Sequence, residues 1–320
     1  MLNKTPIVTI LMPVFNGEKY LPEAIESILN QTFTDFEFLI IDDFSTDNSI
    51  NVIKKYKDKR IRLIINEQNM GQTITLNKGL KLACGKFIAR MDQDDISHQS
   101  RLEKQVSFLL KNTDFALVGS FIQFINHKGD FVKNYNPPTN HDEIINSFVY
   151  RNPFAHSSLL FRKDLIMSLG AYSLQYKYVQ DFSLLIKITS HYKVANIPHT
   201  LTKIRLHQDQ STSSFISKKL NKWEQYSIHK ELYSHPNISG KLKKILYNSI
   251  IFLKTDYLWT KWQQEKNNTD LLNLFNEFID HPTHFIKFFG IQFLYKINDP
   301  GLTTKFTFLK DKYKIYTQKS

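Results

Sequence analysis

Cysteine is nearly absent from this chain. Cys84 is the single thiol in 320 residues, so no internal disulfide can form, and a reducing compartment is the expected setting. Glycine is sparse too, at 10 residues, and none are spaced as Gly-x-Gly-x-x-Gly or Gly-x-x-x-x-Gly-Lys-Ser/Thr. That excludes the two common glycine-rich backbone cradles for phosphate. No apolar run reaches transmembrane length without charge; even the most apolar late stretch, 284–297, carries Lys287 and Lys296. The first apolar run contains Pro13 and does not read as a signal-peptide core, so the expected location is the cytoplasm. Arginine stops at Arg205, and tryptophan does not begin before Trp223. The last third therefore differs chemically from the rest.

What the chain does contain is a strand that ends in acid. Phe87-Ile88-Ala89-Arg90-Met91 runs largely apolar, and Asp92-Gln93-Asp94-Asp95 then sets three carboxylates within four residues. Burying such acids unpaired costs on the order of several kcal/mol, so they face solvent or a cation. A hard divalent ion such as Mg2+ or Mn2+ takes oxygen ligands, keeps open positions and bridges phosphate oxygens. The plain alternative is a solvated acidic turn before a helix starting near Ser97.

The upstream pattern favours the cation. Residues 7–15, 36–41 and 61–65 are apolar runs of strand length, and each is followed by a helical pattern. Leu21, Ala24, Ile25, Ile28 and Leu29 recur at helical spacing, Ser45-Thr46-Asp47 offers capping residues before Ile50 and Ile53, and Ile74, Leu76, Leu80 and Ala83 mark a third helix. Alternation of this kind predicts right-handed crossovers and a largely parallel, doubly wound sheet. Ligands of such sheets bind beyond the carboxyl ends of the strands, where Asn16, Asp42, Asp43, Asn69, Gly71, Asp92 and Asp94 all fall. With acids where glycines would stand, a diphosphate must be held through a metal.

Four motifs carry a resemblance to a known family: Val8-Thr9-Ile10-Leu11-Met12-Pro13-Val14-Phe15-Asn16, Ile28-Leu29-Asn30-Gln31-Thr32-Phe33, Ile40-Ile41-Asp42-Asp43-Phe44-Ser45-Thr46-Asp47 and Asp92-Gln93-Asp94-Asp95. Together they resemble glycosyltransferase family 2, over about residues 5–212. The resemblance implies an inverting nucleotide-sugar transferase with a Rossmann-like GT-A domain, an α/β fold with a mostly parallel central sheet. It implies that Pro13, Phe15 and Glu18 contact the nucleoside and that Asp43 accepts a hydrogen bond from the base, with uridine the usual base. Asn69 and Gly71 fall on the same nucleotide side. Asp92 matches the acid near the ribose, and Asp94 the ligand of the metal, Mn2+ or Mg2+, that bridges the phosphates. Phe15 replaces the commoner tyrosine, which removes a hydroxyl and keeps a stacking face; simple core packing is its other reading.

Inverting transfer is a single displacement, for which one carboxylate base and one Lewis acid suffice. Tyr178-Val179-Gln180-Asp181-Phe182 resembles the family's Glu-Asp segment under the acceptor site, which makes Asp181 the expected base; the alternative is that it merely caps a helix over 182–190. Gln180 stands where Glu is frequent. The segment around His156 resembles the wall of the donor sugar and acceptor side. Arg205-Leu206-His207-Gln208-Asp209 resembles the late loop that closes on the diphosphate, with His207 a metal or phosphate contact and Arg205 either a phosphate contact or a solvated charge. The chain lacks the Gln-x-x-Arg-Trp motif of processive polysaccharide synthases.

The expected organisation is a transferase domain over 1–215, with a nucleotide-sugar half over 1–115 and an acceptor half over 116–215, then a basic, aromatic helical extension over 216–320. That extension holds 17 lysines against 9 acids and all three tryptophans. Helical patterns run over 218–233, 241–264, 271–279 and 284–297. Lysine interleaved with aromatics suits an anionic membrane surface on the inner face of the cytoplasmic membrane; the alternatives are an amphipathic cap on the domain or a contact between copies in a homo-oligomer. Nucleic acid is not an expected partner, since the lysines are dispersed. The expected partners are a nucleotide-sugar donor, most simply a UDP-sugar, and a glycan or lipid-linked acceptor in bacterial surface polysaccharide or lipooligosaccharide synthesis. A non-catalytic glycan-binding or scaffold protein on the same fold is the rival, and it would be marked by loss of Asp94 or Asp181, both of which are present.

Overall fold

The computed structural model describes residues 5–148, 152–208, 210, 223–230, 233–234, 240–265, 269 and 273. Its first half alternates as expected: β1 (Val8–Val14), α1 (Leu21–Leu29), β2 (Phe36–Asp42), α2 (Ser49–Lys55), β3 (Ile61–Ile65), α3 (Gln72–Leu82) and β4 (Phe87–Arg90). These four strands pair in parallel in the order β3-β2-β1-β4. The order reverses between β1 and β4, which opens a crevice at their carboxyl ends.

Every residue of β1 is buried, so both of its faces need cover. Alternation divides that burial: Val8, Ile10, Met12 and Val14 pack with Leu21, Ala24, Ile25 and Ile28 of α1, while Leu11 joins Leu39, Ile41 and Ile88 against Leu76 and Leu80 of α3. Gly79 permits the second contact, because a Cβ there would lie 2.3 Å from the Leu11 side chain.

The second half adds β5 (Ile96–Ser97), α4 (Arg101–Lys111), β6 (Phe115–Ile125), β7 (Phe131–Tyr135), α5 (His141–Ser147), a 3-10 turn (His156–Ser158), β8 (Leu160–Arg162), α6 (Lys163–Ser168), α7 (Gln180–His191) and β9 (Lys193–Arg205). The sheet continues from β4 through β8, β6 and β9 to β5, with β7 beside β6. The antiparallel β4–β8 pairing joins this half to the first, and within it β8 pairs antiparallel with β6, β6 parallel with β9, and β9 antiparallel with β5. No helix begins at Ser97: Ile96 and Ser97 pair with Lys203 and Thr202 of the long β9, and α4 starts at Arg101.

Among the described residues of the last third, two helices follow, α8 (223–230) and α9 (Gly240–Glu265). They match the patterns over 218–233 and 241–264; those over 271–279 and 284–297 lie outside the described residues, Asn273 excepted. α8 packs on α7, with Ile228 in the same core cluster as Phe182 and Leu185, and the His229 ring 5.2 Å from that of Phe182. Among the described residues, no helix is long and apolar enough to cross a membrane.

Candidate functional site

At the carboxyl ends of β1, β2 and β4 lies a cleft of about 1310 Å3. Its nucleotide side is built by stapling loops together. Asn16 and Phe44 adopt φ of 49° and 67°, turning the chain sharply after β1 and β2. The backbone N–H groups of Asn16, Gly17 and Glu18 then donate to Ser45 Oγ (3.0 Å), Ser49 Oγ (2.8 Å) and Asp47 Oδ2 (3.0 Å). Glu18 returns the contact by accepting from the Asn48 N–H at 2.9 Å. The expected capping residues of α2 thus serve mainly to join two loops, although Asp47 Oδ1 also accepts from the Ser49 N–H. Burial works against the Asp47 charge, yet these donors outweigh it and hold its carboxyl below the usual range.

Gln93 makes a second staple. Its amide accepts from the Phe15 N–H at 2.8 Å and donates to the Phe15 carbonyl at 3.0 Å, tying the acidic loop to the end of β1. Gly17 is required by this contact, since a Cβ there would meet the Gln93 amide at 2.6 Å. The Phe15 ring is left 43% exposed on the cleft wall, where it can stack on a planar ligand rather than fill the core. Asp43, buried below it, accepts from the Met70 and Gly71 N–H groups at 2.9 and 2.8 Å and from the Asn66 amide at 2.7 Å. Asp43 therefore shapes the 66–71 loop, and Asn69 and Gly71 of that loop line the cleft.

The acidic loop separates its carboxylates into different roles. Asp92 accepts from Arg90 Nη2 at 2.5 Å and from Ser157 Oγ at 2.7 Å. Burial opposes its charge, but Arg90 and the Ser157 hydroxyl prevail and keep the carboxyl below its usual range. Asp94 faces the cleft and meets His207 Nε2 at 2.8 Å. Burial and the neighbouring Asp92 push the Asp94 carboxyl up, against the pull of His207. Asp95 is buried, accepts from the Arg205 N–H at 2.9 Å, and is pushed well above the usual range by burial, Asp94 and Asp92.

Across the cleft, Asp181 sits in the first turn of α7, one residue inside Gln180, rather than at the cap position, which Val179 holds. Its Oδ2 accepts from Asn152 Nδ2 at 3.2 Å. Burial raises its pKa, against the Phe182 and Asp181 backbone N–H groups and Arg90, which suits a carboxylate that must take up a proton. Gln180 donates to Gln72 at 2.9 Å, joining α7 to the start of α3. His156 meets the Tyr172 hydroxyl at 2.8 Å, and burial, with Arg90, holds its imidazole well below the ordinary value and so neutral. Tyr135, Tyr176, Tyr178 and Phe154 give this wall an aromatic surface, with Lys133 and Lys177 beside them.

Pro13, Phe15, Asp43, Asn69, Gly71, Asp92, Asp94, His207 and Asp181 thus line one cleft, although they span 168 positions of sequence between Pro13 and Asp181 and His207 lies further on. Glu18 and Arg205 do not line it. Glu18 is committed to the loop staple, while Arg205 is 2% exposed, donates to Glu23 and to the Asp94 carbonyl, and stacks 4.7 Å from the Tyr20 ring. Arg90, Gln93, Ser157 and Tyr172 were not foreseen. Arg90 reads as one more residue of a buried strand, and only its two-residue spacing from Asp92, which places both on one strand face, hinted at the pair.

A metal bridging a diphosphate fits what the loop offers. Asp94 and His207 present one carboxylate and one imidazole to the cleft, and an ion of the Mg2+ class uses one or two carboxylates with substrate phosphates and water completing its shell. Among the described residues, no group of three or more His, Cys, Asp or Glu forms a closed all-protein cage.

Comparisons with known proteins bear on the family and the fold. The model of the family described as "Glycosyl transferase family 2" matches residues 9–170. An uncharacterized glycosyltransferase of Haemophilus influenzae is 30% identical over 314 residues, covering 90% of this chain and 92% of its own. The O-antigen biosynthesis glycosyltransferase WbnJ of Escherichia coli is 33% identical over 66% of this chain and 84% of its own. Among solved structures, S. aureus TarS 1-349 in complex with UDP-GlcNAc superposes with a TM-score of 0.62 at 18% identity, over 79% of this chain and 81% of its own. The mannosyltransferase PcManGT of Pyrobaculum calidifontis, in complex with GDP-Man and Mn2+, gives 0.61 at 17% identity, over 81% and 72%. These two likenesses concern the fold.

Proposed function

The chain belongs to glycosyl transferase family 2, and from that premise we propose that it moves a sugar from a UDP-sugar to a glycan or lipid-linked hydroxyl, with inversion, in bacterial surface polysaccharide synthesis. The observation that carries this reading is the opposition, across one cleft, of the Asp94–His207 pair and a half-buried carboxylate, Asp181, at the start of α7.

In this reading the nucleoside stacks on Phe15 above Asp43, and the diphosphate lies along the acidic loop. Asp94 and His207 would hold a divalent cation, which would supply Lewis-acid stabilisation of the leaving diphosphate. The acceptor hydroxyl enters along the aromatic wall and gives its proton to the Asp181 carboxylate as its oxygen attacks the anomeric carbon. The sugar C–O bond to the diphosphate breaks with its electron pair on the leaving oxygen. Asn152 orients Asp181, and Arg90 keeps Asp92 ionised without occupying the cleft. The loop staples of Ser45, Asp47, Ser49 and Gln93 hold the nucleoside half in shape, so little ordering is left for the donor to induce. In the same reading the lysine-rich last third docks on an anionic membrane surface, where lipid-linked acceptors reside.

A screen of donor hydrolysis across UDP-, GDP- and dTDP-sugars with Mn2+ tests the proposal. UDP-sugars should turn over fastest, and chelation should remove the activity. Turnover that survives chelation, or preference for another nucleotide, would revise the metal or the donor respectively.

A further inference from the structure

The backbone just ahead of Asp181 is held by a carboxylate from beyond residue 215. Glu224, on α8, accepts from the N–H groups of Lys177 (3.0 Å), Tyr178 (2.8 Å) and Val179 (3.2 Å). Three successive donors thus converge on one anion, and bonds to an ionised acceptor are stronger than neutral ones. Lys177 and Tyr178 line the cleft, and Val179 is the cap residue of α7, two positions before Asp181.

Valine cannot cap a helix through its side chain, and α7 has no local side-chain cap. A serine or aspartate at 179 would have shaped this turn locally. Here the shape depends on a residue 45 positions away, at the Val179–Glu224 contact. Glu224 is itself fixed from two sides. Ile228 and His229 of α8 are buried against α7, and the Trp223 ring lies 5.1 Å from that of Tyr257 on α9. Glu224 does not line the cleft, so it acts on the site only through the backbone it holds.

We propose that Glu224 is a positioning residue through which the C-terminal helices set the acceptor wall, fixing where Lys177, Tyr178 and Asp181 stand. The inference rests on the reading of Asp181 as base. The donor half is built by its own loop staples and meets α7 through the Gln180–Gln72 hydrogen bond.

The test uses the full chain with UDP-glucose and Mn2+ as the probe, water serving as acceptor. Glu224→Ala should lower kcat for donor hydrolysis roughly tenfold, as a misplaced base does, while UDP affinity stays within about twofold. Amide hydrogen exchange should quicken over 177–182 and remain unchanged around Asp43 and the 66–71 loop. Glu224→Gln, which keeps an acceptor oxygen, should recover part of the turnover, and it carries the comparison if the alanine variant does not fold. Ile228→Val removes one methylene from the packing that seats α8 and keeps the Glu224 carboxylate; it should lower the melting temperature by about a few degrees and reduce kcat far less than Glu224→Ala. Unchanged turnover or unchanged exchange in Glu224→Ala overturns the proposal, as does an equal loss of kcat in Ile228→Val, which would reduce Glu224 to ordinary packing. A wild-type chain that neither binds UDP nor hydrolyses a donor refutes the functional reading instead, and the exchange measurement then decides the clamp alone.

Discussion

Asp94 and Asp181 are both carboxylates pushed up by burial, yet the cleft gives them different partners and so different work. Asp94 faces the cleft with an imidazole at 2.8 Å, and its side chain belongs to the cleft lining rather than to the apolar core. Asp94→Ala should therefore abolish Mn2+-dependent binding of UDP while leaving the melting temperature near that of the wild type. Calorimetric titration with and without Mn2+ reads this directly, and unchanged affinity would move the metal elsewhere. Asp181 accepts from the Asn152 amide, and in the proposed reading it takes up the acceptor's proton. Asp181→Asn keeps size and polarity and should lower kcat by roughly a hundredfold with donor affinity little altered. Because its folded pKa is raised, the base form is lost as pH falls through a value above the usual carboxylate range. Turnover should accordingly climb with pH through that raised value and then level off. A wild-type profile already flat from pH 4 upward would argue against Asp181 as base.

At the scale of elements, the contact between α8 and α7 carries its own titration. His229 is fully buried, its Nδ1 donates to the Gln225 carbonyl at 2.7 Å, and burial lowers its pKa from 6.5 to about 4. A folded pKa below the unfolded one means that the unfolded chain binds the extra proton. The contribution is intact above pH 6.5 and is lost as pH falls from there toward 4, by about 3 kcal/mol in all. His229→Gln, which cannot charge, should flatten this part of the stability curve. Melting temperatures taken from pH 7 to pH 4 in both proteins check it, and parallel curves would show that His229 charges without cost. The same two elements explain why α8 was legible as a helix but not as part of the site. Its apolar spacing predicted a helix over 218–233, whereas nothing in the spacing says that Ile228 seats against α7 or that Glu224 reaches the backbone of residues 177–179.

For the molecule as a whole, charge is unevenly placed, with 17 lysines and no arginine after residue 215. Lys243 and Lys244 are exposed on α9. If this third docks on anionic lipid, each surface lysine adds about 1 kcal/mol, and the attraction is screened within roughly 8 Å at physiological salt. The full chain should co-sediment with anionic but not neutral vesicles at low salt, and a Lys243→Glu, Lys244→Glu double variant should bind measurably less. Equal binding to both vesicle types would reject an electrostatic dock. Removing the last third entirely is the wrong test, because α8 shares its core with α7.

The alternation of strands and helices, the parallel first half of the sheet and the position of the acids at strand ends were all legible in the sequence, because they follow from local periodicity and from the cost of burying charge. Phe15, Asp43, Asp94 and Asp181, expected at the site from strand-end position and family resemblance, do line one cleft. Other assignments depended on long-range contacts. Ser97 was expected to precede a helix, but its pairing with Thr202 comes from β9, more than a hundred residues later, and no local signal encodes it. Arg205 has the chemistry of a phosphate ligand, yet it is drawn into the interior by Glu23, Tyr20 and the Asp94 carbonyl, contacts that exist only once β9 lies beside the acidic loop. Glu224 is one acid among many in a basic segment until α8 packs on α7 and aims its carboxylate at three N–H groups. Local spacing determines which residues can carry the chemistry; tertiary packing decides which of them face the cleft, because a side chain's partner is set by what the fold places opposite it.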